Sequence, residues 1–539
     1  MAKPTRKPAP AKKRTTPPAS VAVAPAPAFF QNALLQSLLI FVFAFLLYAN
    51  TLTHGFVQDD AIVITDNMFT TKGVEGIQGI LSKDTFFGFF KVEGKETLVS
   101  GGRYRPLTLV FFALLYQLAG HNPFPFHLFT VLCFAATGVL LYRTLLVLLK
   151  GWAAGKEQAP VVAWIATLLY VAHPIHTEVV ANIKGCDEIV TLLGSLGALW
   201  LTLRAWDTGK KAWGLAAGLV FFLACLSKEN AATFVVVIPL ALWFFRQASP
   251  GQSVRAALPV WIGFLAFFIL RGSILQWKFG AAPMELMNNP FLKIEGDRWV
   301  AFSAGEKLAT ILYTLGRYIQ LLVFPYPLTH DYYPRTIGIK TFGNPGALLA
   351  LAGYLFLIWF AVKGLAQRDP VRFGILFFLL TISIVSNLVF PVGTLMGERF
   401  VFMPSAGICL AVAALLCRLP GRKTALVIAG AVALLFSIKT VLRNPVWASN
   451  ERLFFTDVKT SVNSAKINNA CGGVLFEKAQ KEKDGALQLT MYEQAFNYAN
   501  QALQIYPNYK DALLIRGGCQ FYLKKITTAR WPITGWPFN

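Results

Sequence analysis

Charge is scarce in this chain: Asp, Glu, Lys and Arg make up 14% of its 539 residues, against roughly 25% in an average soluble domain. Together with a hydrophobic fraction of 55%, that scarcity excludes an ordinary water-soluble globule and makes lipid the solvent for most of the chain. Acidic residues are scarcer still, 27 against 50 Lys and Arg, for a formal net charge of +23. Such an excess can mark a nucleic-acid footprint. Here, however, the cations concentrate in the tail Lys3 to Arg14 and in short connections between apolar runs, where positive-inside bias puts them in any membrane protein. No nucleic-acid partner is expected. The seven cysteines show no paired spacing, and Cys133, Cys225, Cys409 and Cys417 fall inside apolar runs, so neither a disulfide framework nor a zinc site follows. A small-residue cleavage site does not closely follow the first apolar run, which reads as a retained helix.

What the chain has in abundance is apolar stretches of spanning or near-spanning length. They begin near Leu34, Leu128, Val161, Ile189, Trp213, Ala231, Ala257, Gly346, Phe373, Ser405 and Thr424, which predicts an all-α polytopic membrane helix bundle of about eleven transmembrane helices. With the basic N-terminus inside, the connections Lys150 to Lys156, Arg204 to Lys211, Arg246 to Arg255, Lys363 to Arg372 and Arg418 to Lys423 are all cytoplasmic, and all carry Lys or Arg. Counting Pro106 to Ala119 as a span would invert the later loops, so it reads as an interfacial helix; Lys307 to Pro325 reads as re-entrant or interface-hugging for the same reason. The expected organisation is a disordered basic tail (1–32), a transmembrane domain (33–440) with outer loops 50–126 and 271–345, a helical segment (441–529) outside and an irregular tail (530–539). In that last helical segment Ala495, Ala499, Ala502 and Pro507 fit the small-residue and proline pattern of a truncated tetratricopeptide repeat, with Ser464 to Lys481 as partner helix.

Residues that can carry chemistry cluster on the outer side. Asp59 and Asp60 follow the first span by about ten residues, where a carboxylate faces both a membrane-embedded phosphate and a water-soluble acceptor; adjacent like charges can also raise one pKa toward the useful range. The plainer reading of the pair is a solvated turn at a helix end. The segment HPIHTEVVANIKGCDE brings His173, His176, Glu178, Lys184, Asp187 and Glu188 to membrane depth, where ionisable groups face a bundle interior or a cavity. His173, His176 and Glu178 have the composition of a divalent metal site, but the intervening proline prevents regular helical presentation, and a hydrogen-bonded helix-end cluster is the competing reading. SKEN holds Lys228 and Glu229, and GERFVFMPS holds Glu398 and Arg399. Each turn reads as an internal ion pair, or its cation, with Arg103 and Arg105 of GGRYRP, as a phosphate ligand.

Taken in order, HGFVQDDAIVITDN, RYRPL, GHNPFPFHL, HPIHTEVVANIKGCDE, SKEN, the NNP of the long loop and GERFVFMPS resemble the transmembrane and tetratricopeptide-repeat-containing O-mannosyltransferase family of the GT-C superfamily, over nearly the whole chain. The resemblance implies a GT-C fold and transfer of a hexose, mannose-like, from a polyprenyl-phosphate (dolichyl-phosphate-like) donor to Ser or Thr hydroxyls of an exported protein acceptor. It further implies a site on the non-cytoplasmic side of a bacterial inner membrane, or of the endoplasmic reticulum if the chain is eukaryotic. Asp59 matches the family's base, with Asp60 next, and Asp187 and Glu188 match a second acidic position. Lys228 and Arg399 are read as donor-phosphate ligands from charge and location. Competing readings are a related transferase acting on lipid or envelope glycan, a transporter or channel, and a non-catalytic scaffold displaying its repeats.

Overall fold

The computed structural model describes residues 28–92, 102–152, 155, 157–277, 284–296 and 298–530. The tail expected over 1–32 lies outside the described residues up to 27, and the tail expected over 530–539 lies outside them after Arg530.

Among the described residues there are twenty α-helices: α1 (Ala33–Tyr48), α2 (Ile77–Ser82), α3 (Phe87–Phe90), α4 (Pro106–Ala119), α5 (Phe124–Leu149), α6 (Ala159–Ala172), α7 (Thr177–Val180), α8 (Cys186–Thr208), α9 (Lys211–Ser227), α10 (Phe234–Phe245), α11 (Pro250–Ile274), α12 (Ala304–Val323), α13 (Pro345–Lys363), α14 (Pro370–Ser383), α15 (Phe402–Leu416), α16 (Arg422–Arg443), α17 (Asn450–Asp457), α18 (Ala465–Lys481), α19 (Gly485–Ile505) and α20 (Lys510–Arg530). Among the described residues the only sheet is a hairpin of β1 (Leu292–Glu295) and β2 (Arg298–Ala301), with Leu292 opposite Ala301. The fold is the expected all-α polytopic bundle.

Starts are written into the sequence as caps. Ser249 and Ser303 form reciprocal capping boxes with Gln252 and Glu306, and Asn344, Asp369, Ser464 and Asp484 accept from the first-turn amides of α13, α14, α18 and α19.

By length and composition seven segments among the described residues can cross a membrane: 33–51, 124–149, 183–208, 250–274, 345–363, 398–416 and 422–448. An eighth is added if α6 and the segment 174–180, bent by 50°, count as one broken span. The eleven expected apolar runs are all helical, but by this measure the count is seven or eight. The remaining three, α9, the 229–245 segment and α14, are shorter. At 1.5 Å per residue the 14 residues of α14 reach about 21 Å, short of a hydrocarbon core of roughly 30 Å. α4 has the same length. α12 is amphipathic, burying Ile311, Leu315, Tyr318 and Leu322 at helical spacing.

One continuous apolar core joins α1, α5, α6, α8 to α11 and α14 to α16. Small residues set its closest approaches: a Cβ on Gly374 of α14 or Gly407 of α15 would lie 2.4 Å from the other's carbonyl oxygen. A second cluster packs α12 and the strap 328–337 against α14 and the turn 395–401. At the C-terminal end α18, α19 and α20 bury Leu475, Tyr492, Ala495 and Cys519 among themselves. Val57, Ala181, Trp447 and Leu453 join the α1–α2 connection to the segment entering α17.

Candidate active site

The α1–α2 connection is shaped by one buried carboxylate. Asp60 is fully buried, and its two oxygens accept from the backbone N–H groups of Val57 (2.9 Å) and Lys184 (2.8 Å). Burial pushes the Asp60 carboxyl up to about 7, against the two backbone bonds that favour its ionised form. Gln58 takes a left-handed φ of 51°, uncommon for a residue with a side chain, and its N–H donates to Asn450 Oδ1 at 2.8 Å. The neighbouring Asp59 faces a cavity instead. Asp60, the second carboxylate expected to do chemistry, is the anchor of the loop that presents Asp59.

That cavity, about 610 Å³, lies where the ends of several helices meet. Its polar lining holds six cations (Arg103, Arg105, Lys184, Lys228, Arg271, Arg399) and three carboxylates (Asp59, Asp187, Glu229). The rest is largely apolar: Phe264, Phe267 and Phe268 of α11, Leu109 and Phe112 of α4, and Ile384, Val385, Phe390, Pro391 and Val392. A pocket with a cationic end and an apolar wall suits an anionic head group carrying a lipid chain.

Apart from Lys184–Asp187, the ion pairs cross the chain and do not close within turns. Arg105 forks onto Glu229 through Nε (2.9 Å) and Nη2 (2.7 Å) and reaches Asp187 through Nη1 (3.1 Å). Lys228 is held by Glu188 at 2.6 Å, with Asn230 also donating to Glu188 at 3.3 Å. Arg399 donates its N–H to Glu178 Oε2 at 2.8 Å, and its guanidinium pairs with Glu178 Oε1. Glu178 and Glu188 do not line the cavity; they fix Arg399 and Lys228 from behind. Asp187, 3.4 Å from Lys184 and 3.5 Å from Lys228, keeps a buried Oδ1 without a hydrogen-bond partner. Arg103 donates to Val392 O (3.1 Å) and stands 3.9 Å from Glu229.

Three predicted site residues lie elsewhere. Glu398 accepts from Thr329 N (2.6 Å) and the Tyr332 hydroxyl (2.8 Å), tying down the strap and making no pair with Arg399. His173 accepts from Ile175 N at 3.2 Å through Nδ1, which leaves Nε2 to donate to Leu322 O at 3.0 Å. His176 meets Ser405 Oγ at 3.0 Å among Tyr170 and Phe402. The two histidines are core side chains, and among the described residues no three His, Cys, Asp or Glu converge as a ligand set; the residues present do not fit the divalent metal that the sequence left open.

Of the cavity cations, the sequence places Lys184 in the ionisable cluster without giving it a role, and it misses Arg271. Lys184 sits three positions before Asp187 in the acidic segment, a spacing that foretells their contact. Arg271, at the end of an apolar run, reads from sequence only as an interfacial anchor. Asp59 itself feels opposing effects: burial pushes its carboxyl up, but Lys466, Lys184 and Arg399 together bring it below its usual range.

A multi-pass helical membrane protein with a cation-lined, half-apolar cavity at its helix ends is the class that this geometry defines. Residues 105–277 match the family described as dolichyl-phosphate-mannose-protein mannosyltransferase. The chain is similar to a protein O-mannosyl-transferase of Caenorhabditis elegans (28% identical over 466 residues, 83% of this chain and 62% of that protein). It is also similar to the human protein O-mannosyl-transferases TMTC1 (27% over 510 residues, 87% and 55%) and TMTC3 (26% over 491 residues, 86% and 50%). The chain is thus similar to transmembrane O-mannosyltransferases over most of its length, and it spans between half and about three fifths of the length of these relatives.

Proposed function

We propose that the chain moves a mannose-like hexose from a polyprenyl-phosphate donor to Ser or Thr hydroxyls of exported polypeptides, at the Asp59 cavity on the non-cytoplasmic face of its membrane. The bacterial inner membrane, with a periplasmic site, is the setting we assign. The observation that carries the reading is the cavity itself: one carboxylate poised on an anchored loop, opposite six cations and an apolar wall.

In this reading the donor's phosphate lies against Arg399 and Lys228, with Lys184 and Arg271 close by, and its lipid chain runs along Phe264, Phe267 and Phe268. Asp59 accepts the proton of the acceptor hydroxyl as the oxygen attacks the anomeric carbon. The bond from that carbon to the phosphate oxygen breaks, and polyprenyl phosphate leaves with the electron pair. Fixed cations in a low-dielectric site stabilise the charge that grows on the leaving phosphate. The three C-terminal helices are read as a tetratricopeptide-repeat segment on the same face.

The test is transfer of labelled hexose from a panel of polyprenyl-phosphate donors to envelope proteins by purified wild type and Asp59→Asn. Label in protein, reduced at least about a hundredfold by Asp59→Asn with unchanged thermal unfolding, is the expected result. Label confined to lipid or glycan assigns a different acceptor, and no transfer from any donor favours the scaffold reading.

A further inference from the structure

The C-terminal helices grip both polar walls of the cavity. On one side Gln58 N donates to Asn450 of α17, Gly55 N donates to Ala448 O at 3.1 Å, and Val57 packs on Trp447 and Leu453. These contacts flank Asp59. On the other side lies Asp457, the last residue of α17, only 1% exposed. It accepts from Arg443 Nη1 (2.6 Å) and Nη2 (2.7 Å) and from the His330 backbone N–H (2.8 Å), and it pairs with His330 Nδ1 (2.9 Å). His330 belongs to the strap 328–337. Ser461 and Ser464, between α17 and α18, fasten the same strap: Ser461 Oγ meets Thr329 Oγ1 at 2.8 Å and Asp331 O at 2.6 Å, and Ser464 Oγ meets Asp331 Oδ2 at 2.5 Å. The strap in turn holds Glu398 through Thr329 N and Tyr332, and the next residue is Arg399.

We propose that this chain of contacts makes the C-terminal helices a working part of the site, with Asp457 and His330 as positioning residues that set where Arg399 meets the donor phosphate. The physical ground is that the links from 457–464 to the Glu398 turn are buried or part-buried hydrogen bonds between groups on different elements. A displacement of the 457–464 segment cannot then be absorbed locally, and it moves the Glu398–Arg399 turn with it. Contacts at Asn450 place the opposite wall under the same control, so the separation of Asp59 and Arg399 depends on how the helical segment is seated.

The proposal rests on the reading of Arg399 as a donor-phosphate ligand, and the test separates the two. His330→Phe keeps the ring contacts with Trp447 and Phe454 and leaves the Arg443–Asp457 pair intact, but it removes one link. For the full chain we expect the KM for polyprenyl-phosphate hexose to rise about three- to tenfold, the scale of one lost hydrogen bond. The KM for acceptor and the thermal midpoint should stay near wild type. Asp457→Glu, which keeps the charge, should fall between wild type and His330→Phe. Lys478→Ala, which breaks an exposed pair with Glu451 on the same helices, should change neither constant. An unchanged donor KM in His330→Phe, in a protein where Arg399→Gln raises it, overturns the proposal and leaves the phosphate reading standing. An unchanged donor KM in Arg399→Gln overturns both.

Discussion

Replacing Arg105 measures how far the cavity is braced by its own ion pairs. Arg105, at the start of α4, makes three charge-assisted bonds: two to Glu229, before α10, and one to Asp187, on α8. Its side chain is 12% exposed, that of Glu229 26% and that of Asp187 5%, so little of the attraction is lost to solvent. A lysine ammonium is a point charge on a flexible stem and cannot reproduce the planar fork. Arg105→Lys therefore loses at least one charge-assisted bond, and the expected cost is about 1.5–3 kcal/mol. Arg105→Met removes the fork from Glu229, leaving it only Arg103 at 3.9 Å, and takes one of three cations from Asp187, at a cost of about 3 kcal/mol. The assay is unfolding of the detergent-solubilised protein, in a double-mutant cycle with Glu229→Gln. If the fork carries the brace, Glu229→Gln costs much less in the Arg105→Met background, with a coupling of about 1.5 kcal/mol or more. A coupling below about 0.5 kcal/mol, or an Arg105→Lys protein as stable as wild type, would refute the reasoning.

On the proposed reading Asp59 is the base and acts only when ionised, so activity should be lost as pH falls through its lowered pKa and kept through the neutral range. Lys466→Met, which removes the cation that does most to lower that pKa, should move the acid limb of kcat/KM to higher pH and leave the rate near about pH 7.5 within about twofold; a pH–rate profile decides it. His173→Gln should lower stability by about 1–2 kcal/mol, because both ring nitrogens bond to backbone in the core. Transfer by variant and wild type alike should then survive exhaustive chelation, and a chelator-sensitive rate restored by zinc would contradict the core assignment of these histidines.

The apolar runs were legible because lipid demands a long stretch of one character, and each run expected to span is helical. Their lengths were less so, since α9 and α14 are short helices within the bundle, with much of their length buried. The site motifs were legible as clusters of ionisable residues at helix ends, and Asp59, Asp187, Lys228, Glu229, Arg103, Arg105 and Arg399 do meet in one cavity. Their pairing was not. Sequence adjacency joins Lys228 to Glu229 and Glu398 to Arg399, but consecutive residues in a tight turn point different ways. The actual partners lie 40 positions away for Lys228, 124 for Glu229 and 221 for Arg399. The DD dipeptide fails to separate its own members for the same reason: the left-handed Gln58 and the two amides on Asp60 are tertiary facts.

These pairings sort the cavity's cations into two kinds. Arg105 is joined to carboxylates that themselves line the cavity, Asp187 and Glu229, so its charge is already answered on the side a ligand would approach. Arg399 is answered from outside the lining, by Glu178, and Lys228 chiefly so, by Glu188 at 2.6 Å, with the lining Asp187 farther off at 3.5 Å. Their head groups are fixed in place mainly from behind, at no cost to the face Arg399 turns to the cavity and little to that of Lys228, which is how a preorganised anion site holds its cations when empty. A phosphate arriving there meets donors whose orientation is already set, whereas at Arg105 it would compete with two carboxylates. The arrangement thus favours Arg399 and Lys228 over Arg105 as phosphate ligands and gives Glu178 and Glu188 a definite task, though neither touches the ligand.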